Sequence, residues 1–118
     1  MKHLLAALAW ILLGAVCRAE TLVTENHKVS LTAMCPEGSV TCDRVRYVGV
    51  HRKTGETTTL TGRTMHTTCA DGVTACRFLG YRFKKGKLRY FVWESGQTAT
   101  LEVRRGRQVL IAEQGEWE

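Results

Sequence analysis

The chain has 118 residues, with 17 Lys and Arg against 11 Asp and Glu and a formal net charge of +6. That is basic, but it is not the charge density of a dedicated nucleic-acid binder. The length suits one domain.

The first segment in chain order reads as a leader. Lys2 and His3 precede the apolar run Leu4 to Val16, and the stretch "CRAE" follows, with Cys17 and Ala19 as the small residues before a cleavage point. We therefore expect a secretory signal peptide over 1–19 and a single domain over 20–118. A lipid-anchored Cys17 is the competing reading, and Val16 is bulky where such a signal wants Gly or Ala. The apolar run falls short of the roughly 20 residues of a membrane span. Removing the leader leaves 99 residues, 15 basic against 11 acidic, and four cysteines in place of five.

Alternating apolar and polar residues, rich in Val, Thr, Tyr and Phe, predict strands. The first two are Leu22–Glu25 and Lys28–Ala33. The stretch "CPEGSVTC", residues 35–42, follows, and "CADGVTAC", residues 69–76, repeats its pattern. Four cysteines in an exported domain of this size read as two disulfides. Local pairing, Cys35 with Cys42 and Cys69 with Cys76, is preferred, because each loop holds Gly and an acidic residue and turns easily. The spacing is too wide for the two to four residues usual in zinc fingers, and Cys-x-x-Cys, the usual redox motif, is absent.

Strands are then expected over Asp43–Arg52, Thr57–Leu60, Arg63–Thr68, Arg77–Phe83, Leu88–Glu94, Thr98–Arg104 and Gln108–Glu113. Gly-bearing turns, "KTGE", "FKKGK", "ESGQ" and "RRGR", separate several of them. Val45, Tyr47 and Gly49 should share one face, and so should Ala99, Leu101 and Val103. Successive strands with short turns make an antiparallel meander, and closure removes its edges. The expected fold is all-β, a small barrel or sandwich. Tyr47 and Tyr81 each stand five residues beyond the second Cys of a pair. Internal duplication and convergence on a stapled hairpin entry both account for this.

Residues for chemistry are sparse. His27, His51 and His66 lack metal-ligand spacing, and with Cys69 in a disulfide no thiolate stands near His66. Asp43, Asp71, Glu94 and Glu102 form no pair readable in sequence, and no nucleophile, phosphate-loop or dinucleotide motif occurs. The expectation is a non-enzymatic protein without cofactor or metal.

The most distinctive stretch is "YRFKKGKLRYFVW", residues 81–93, where Arg82, Lys84, Lys85, Lys87 and Arg89 interleave with aromatics. Aromatics and Arg are common interface anchors. Exported, such a hairpin suits an acidic protein or an anionic envelope component better than a nucleic acid. The structural alternative makes the aromatics core and the lysines a solubilised turn.

Residues 81–111 resemble the end of the small periplasmic and membrane-bound inhibitors of c-type lysozyme. Trp93 is followed by Gly96, then Ala99-Thr100 and an apolar strand, and "YRFKKGK" sits where that family has an aromatic, a Gly turn and the next strand. The resemblance implies a disulfide-stapled exported β-barrel that inhibits by inserting a loop. This chain departs from the pattern. "CRFLGY", residues 76–81, keeps Gly80 without the serines, and Ser95 stands where the family has a Lys before the turn Gly. A basic lysozyme would also meet like charge. The expected function is therefore an exported periplasmic inhibitor or immunity protein for another envelope-acting hydrolase or toxin. Its contacts would be Arg82, Lys84, Lys85, Lys87, Arg89 and Ser95. A binding module for an anionic lipid head group or cell-wall polymer is the alternative.

Overall fold

A computed structural model describes residues 18–118, all strand, turn and loop. Of the leader expected over 1–19, residues 1–17, Cys17 included, lie outside the described residues. Eight strands run in chain order: β1 Arg18–Val23, β2 His27–Ala33, β3 Val45–His51, β4 Thr57–Thr68, β5 Ala75–Lys85, β6 Leu88–Ser95, β7 Thr98–Arg105 and β8 Gln108–Trp117. Each is antiparallel to the next, and β8 returns to β1 to close a barrel. The closing ladder is short, Leu22 with Trp117 and Val23 with Glu116. The fold is thus the barrel, and not the sandwich, of the two expected architectures.

Alternation explains the core. Val45, Tyr47 and Gly49 point inward on β3, as do Ala99, Leu101 and Val103 on β7, all buried as the pattern requires. Leu22, Val29, Leu31 and Val92 complete the centre. Burying each large side chain contributes about 1.5–3 kcal/mol.

Two expected strands prove to be one. Thr57–Leu60 and Arg63–Thr68 belong to the unbroken β4, because Gly62 stays in the ladder opposite Val45 and Phe83. Gly62 marks a close approach rather than a turn. A Cβ there would lie 2.0 Å from the Arg82 carbonyl oxygen. The ends shift as well: β1 begins at Arg18, and β8 continues to Trp117 because the closing ladder needs that residue.

β4 and β5 outrun their outer neighbours, and their far half forms an arm. Bulges flank His66, and Gly80 takes a φ of 144° facing the Val92 carbonyl. Phe78 packs between His66 and Tyr81 at centroid distances of 5.4 and 5.2 Å. Cys69–Cys76 closes the arm's tip and Cys35–Cys42 closes the β2–β3 connection, the local pairing expected. Both loops lie at one end of the barrel, and the Cys35–Cys42 loop is tied to the arm by the Thr64 N–H donating to the Cys42 carbonyl at 2.8 Å. At the tip, Asp71 accepts hydrogen bonds from the Thr74 hydroxyl and from the N–H groups of Val73 and Thr74. These hold its carboxyl down at about 2. Loops this short should each stabilise by about 2–3 kcal/mol through the unfolded chain. Reducing both bonds is expected to lower the urea midpoint correspondingly, and an unchanged midpoint would contradict that figure.

Two disulfides fit an oxidising, extracytoplasmic setting. No helix among the described residues is long and apolar enough to cross a membrane. The barrel's outer face exposes Arg46, Arg63, Arg82 and Arg89, where a membrane-spanning barrel would place apolar side chains toward lipid.

Candidate functional site

Inward Gly62, Phe83 and Val92 force Arg63, Arg82 and Phe91 outward, since neighbours along a strand alternate. Register then joins them in a row. Arg63 stands opposite Arg82, Arg82 opposite Phe91, and Phe91 opposite Glu102. A second row places Lys84 opposite Arg89 and Arg89 opposite Arg104. Asp43, Arg63, Arg82, Lys84, Arg89 and Phe91 line a shallow depression of about 520 Å³ on this face.

The flank of the depression is fixed by its own contacts. The Phe91 and Trp93 rings stack at 5.3 Å and 15°. The Trp93 Nε1–H donates to Glu102 Oε1 at 3.1 Å, and Arg104 Nη2 donates to Glu102 Oε2 at 3.1 Å. Arg104 Nε also lies 3.0 Å from Glu102 Oε1. It lacks hydrogen-bond alignment there, so that contact is coulombic. Burial alone would raise the Glu102 carboxyl, and the bonds from Arg104 and Trp93 outweigh it, holding the group below its usual range. Glu102 is thereby committed to Arg104. Arg63, Arg82, Lys84 and Arg89 make no ion pair among the described residues. Four cations and the Asp43 carboxylate line the depression, with Phe91 at the edge of the group, between Arg82 and Glu102. Comparison with known protein families, curated proteins and solved structures finds no match.

Of the residues expected from sequence, Arg82, Lys84 and Arg89 meet on this face. Lys85 and Lys87 lie beyond it at the β5–β6 turn. Ser95 does not join them, because it ends β6 at the opposite end from Lys87. Arg63 was not among the expected contacts. Its signal was present, since a continuous β4 with Gly62 inward turns Arg63 out, but the neighbouring strand could not be read from the chain.

A meander alternates its turns between two ends, and the turn cations Arg52, Lys53, Lys87 and Arg107 share one end with Glu25 and Glu56. Lys85 and Arg105 stand at the adjoining strand ends. At the other, Glu20, Glu94, Glu116 and Glu118 line a depression of about 510 Å³ beside Trp117. Burial, and then the neighbouring Glu20, raises the Glu94 carboxyl. Among the described residues, no three His, Cys, Asp or Glu side chains are arranged to hold a metal ion.

Proposed function

We propose that this is an exported periplasmic binding protein that neutralises an envelope-acting hydrolase or toxin, without chemistry of its own. The observation that carries the reading is the group of four cations without ion pairs among the described residues, Arg63, Arg82, Lys84 and Arg89, beside Phe91. Like charges held together without ion pairs, in excess over the single Asp43 carboxylate lining the depression, favour a negatively charged partner, and such a surface also speeds encounter. An aromatic bordered by arginines is the composition of interface anchors. The stapled barrel supports the reading, because a rigid face loses little entropy on docking. The resemblance to lysozyme inhibitors supports an inhibitory role, while the sign of the charge points to an acidic target.

The oxidised protein, immobilised and challenged with periplasmic and secreted extracts, is expected to retain one acidic hydrolase or toxin at about 0.3 M salt, where exposed charges more than a few Å apart are screened. That partner's activity should fall on adding the protein. The double reversal Arg82→Glu with Arg89→Glu is expected to weaken retention about 100-fold without altering Tm, since both side chains are exposed. Equal retention by the variant would remove this face from the reading. Retention of lipid or wall polymer alone, lost as salt rises, would replace it with the anionic-ligand alternative.

A further inference from the structure

The barrel interior is incompletely filled at the end carrying the β1–β2 and β3–β4 turns. A cavity of about 170 Å³ opens there, walled by His27, Tyr47, His51, Glu56, Tyr90 and Leu101. The void has a sequence cause. Gly49 and Thr58 stand opposite one another on β3 and β4, so that layer carries little side-chain volume. A Cβ on Gly49 would lie 2.7 Å from the Tyr47 ring and 2.8 Å from its hydroxyl oxygen. The glycine is what lets the phenol end of Tyr47 reach the cavity.

Tyr47 is 2% exposed, yet its hydroxyl has no hydrogen-bond partner among the described residues. Among the described residues the fully enclosed unpaired side-chain atom is Arg104 Nε, so the Tyr47 oxygen opens to the cavity, where water or a bound group can reach it. The Tyr90 hydroxyl is likewise unpartnered. The remaining polar groups are better served. His27 Nδ1 is 3.1 Å from Glu113 Oε1, and His51 Nδ1 accepts the N–H groups of Lys53 and Thr54 at 3.3 Å.

The walls of the cavity are largely aromatic. Tyr47 and Tyr90 meet at 5.6 Å and 66°, and His27 and His51 at 5.0 Å and 75°. Glu56, at the rim, makes no ion pair among the described residues, and no Lys or Arg lines the walls. Aromatic faces attract cations, most effectively where water is excluded. An anion would instead meet the π faces and the Glu56 carboxylate.

We infer that this cavity binds the head group of a small organic ammonium compound, held by the ring of Tyr90 and the phenol oxygens of Tyr47 and Tyr90, with Glu56 as counter-ion. An N–H of the ligand would donate to the phenol oxygens. The volume, some five waters' worth at roughly 30 Å³ each, admits a head group of a few heavy atoms. The site is separate from the basic outer face and does not depend on that face's function.

The test is a titration of the full oxidised chain with ethanolamine and with choline, following the ring resonances of Tyr47 and Tyr90 by NMR. Glycerol and acetate serve as neutral and anionic probes of similar size. Saturable shifts with one of the ammonium probes at millimolar affinity are expected, an affinity class of about 4 kcal/mol. Glu56→Gln, at an exposed position, should weaken binding about tenfold. Tyr90→Phe should weaken it too while keeping the fold, because the lost hydroxyl has no protein partner. The reversal at Arg82 and Arg89 should leave it unchanged, which separates this site from the outer face. Phosphatidylethanolamine vesicles shifting the same resonances would place the ammonium on a lipid, and free ethanolamine alone would place it on a soluble amine. Either result upholds the site. No saturable shift, equal shifts with glycerol or acetate, or an unaffected Glu56→Gln variant would overturn it.

Discussion

Replacing Gly62 with alanine is expected to destabilise the protein by about 3 kcal/mol, near the upper end for overpacking. Gly62 points inward on β4 between Val45 and Phe83. An added Cβ would stand 2.0 Å from the Arg82 carbonyl oxygen and 2.4 Å from the Phe83 ring. The ring can turn aside. The carbonyl cannot, because it belongs to the backbone of the neighbouring strand, so β4 must leave β5 or the barrel must widen. Gly62 has no positive φ, so the cost comes from contact alone. Gly55 provides the comparison, with a φ of 78° and nothing within 4 Å of its would-be Cβ. Gly55→Ala should cost about 1 kcal/mol through conformation. For a domain of this size, each kcal/mol lowers Tm by about 4–8 °C, so thermal melts separate the two variants readily. A Gly62→Ala protein melting no lower than Gly55→Ala would show that the strands are not so closely set.

Loss of the Glu113 carboxylate is the second large effect, and it depends on pH. Glu113 lies inside the barrel, level with Leu101 on β7. Thr24 Oγ1 donates to Oε1 at 2.6 Å, Asn26 Nδ2 to Oε2 at 2.9 Å and Asn26 N to Oε1 at 3.3 Å, and His27 Nδ1 approaches Oε1 to 3.1 Å. Burial alone would raise this carboxyl. The bonds from Thr24, Asn26 and His27 together outweigh it and bring the group from 4.5 to about 2. A depressed carboxyl stabilises the fold above its unfolded value. That stability fades as pH falls from about 4.5 toward 2, because the unfolded chain takes up the proton first. The shift corresponds to about 3 kcal/mol. Urea unfolding of the wild type from pH 6 to pH 2 should show this decline. Glu113→Gln should be less stable at pH 7 by about 2–3 kcal/mol and should lose most of the decline. Parallel declines in the two proteins would mean that other carboxylates govern the acid limb.

Much of the fold was legible in the chain. The alternation of Ala99, Leu101 and Val103 sets which side of β7 faces the core, and the Gly turns place the reversals. Pairing of Cys35 with Cys42 and of Cys69 with Cys76 follows from short separation. The misread break at Thr61-Gly62 has a clear cause. A glycine at a turn and a glycine under a neighbouring carbonyl look alike until the neighbour is known. β8 was expected to end at Glu113 because the polar "EQGE" breaks the apolar alternation. Gly115 is there because the Val23 carbonyl passes 2.3 Å from where its Cβ would be, a contact 92 residues away in the chain.

The candidate site divides in the same way. The basic and aromatic content of residues 81–93 is a property of the sequence. That hairpin's aromatics then part company: Phe83 enters the core, while Phe91 and Trp93 stack outside. Ser95 leaves the group because β6 carries it to the far end.

What the sequence by itself determined is local: strand periodicity, turns, two short disulfide loops and a surplus of positive charge. These depend on residues within a few places of one another. What only the tertiary structure decided is adjacency across strands. It set Arg63 beside Arg82, Glu113 beside Thr24 and His27, and Tyr47 over Gly49 at an open cavity. The physical reason is that register between strands follows from barrel closure and the stagger it imposes. Closure here joins Leu22 to Trp117, from opposite ends of the chain.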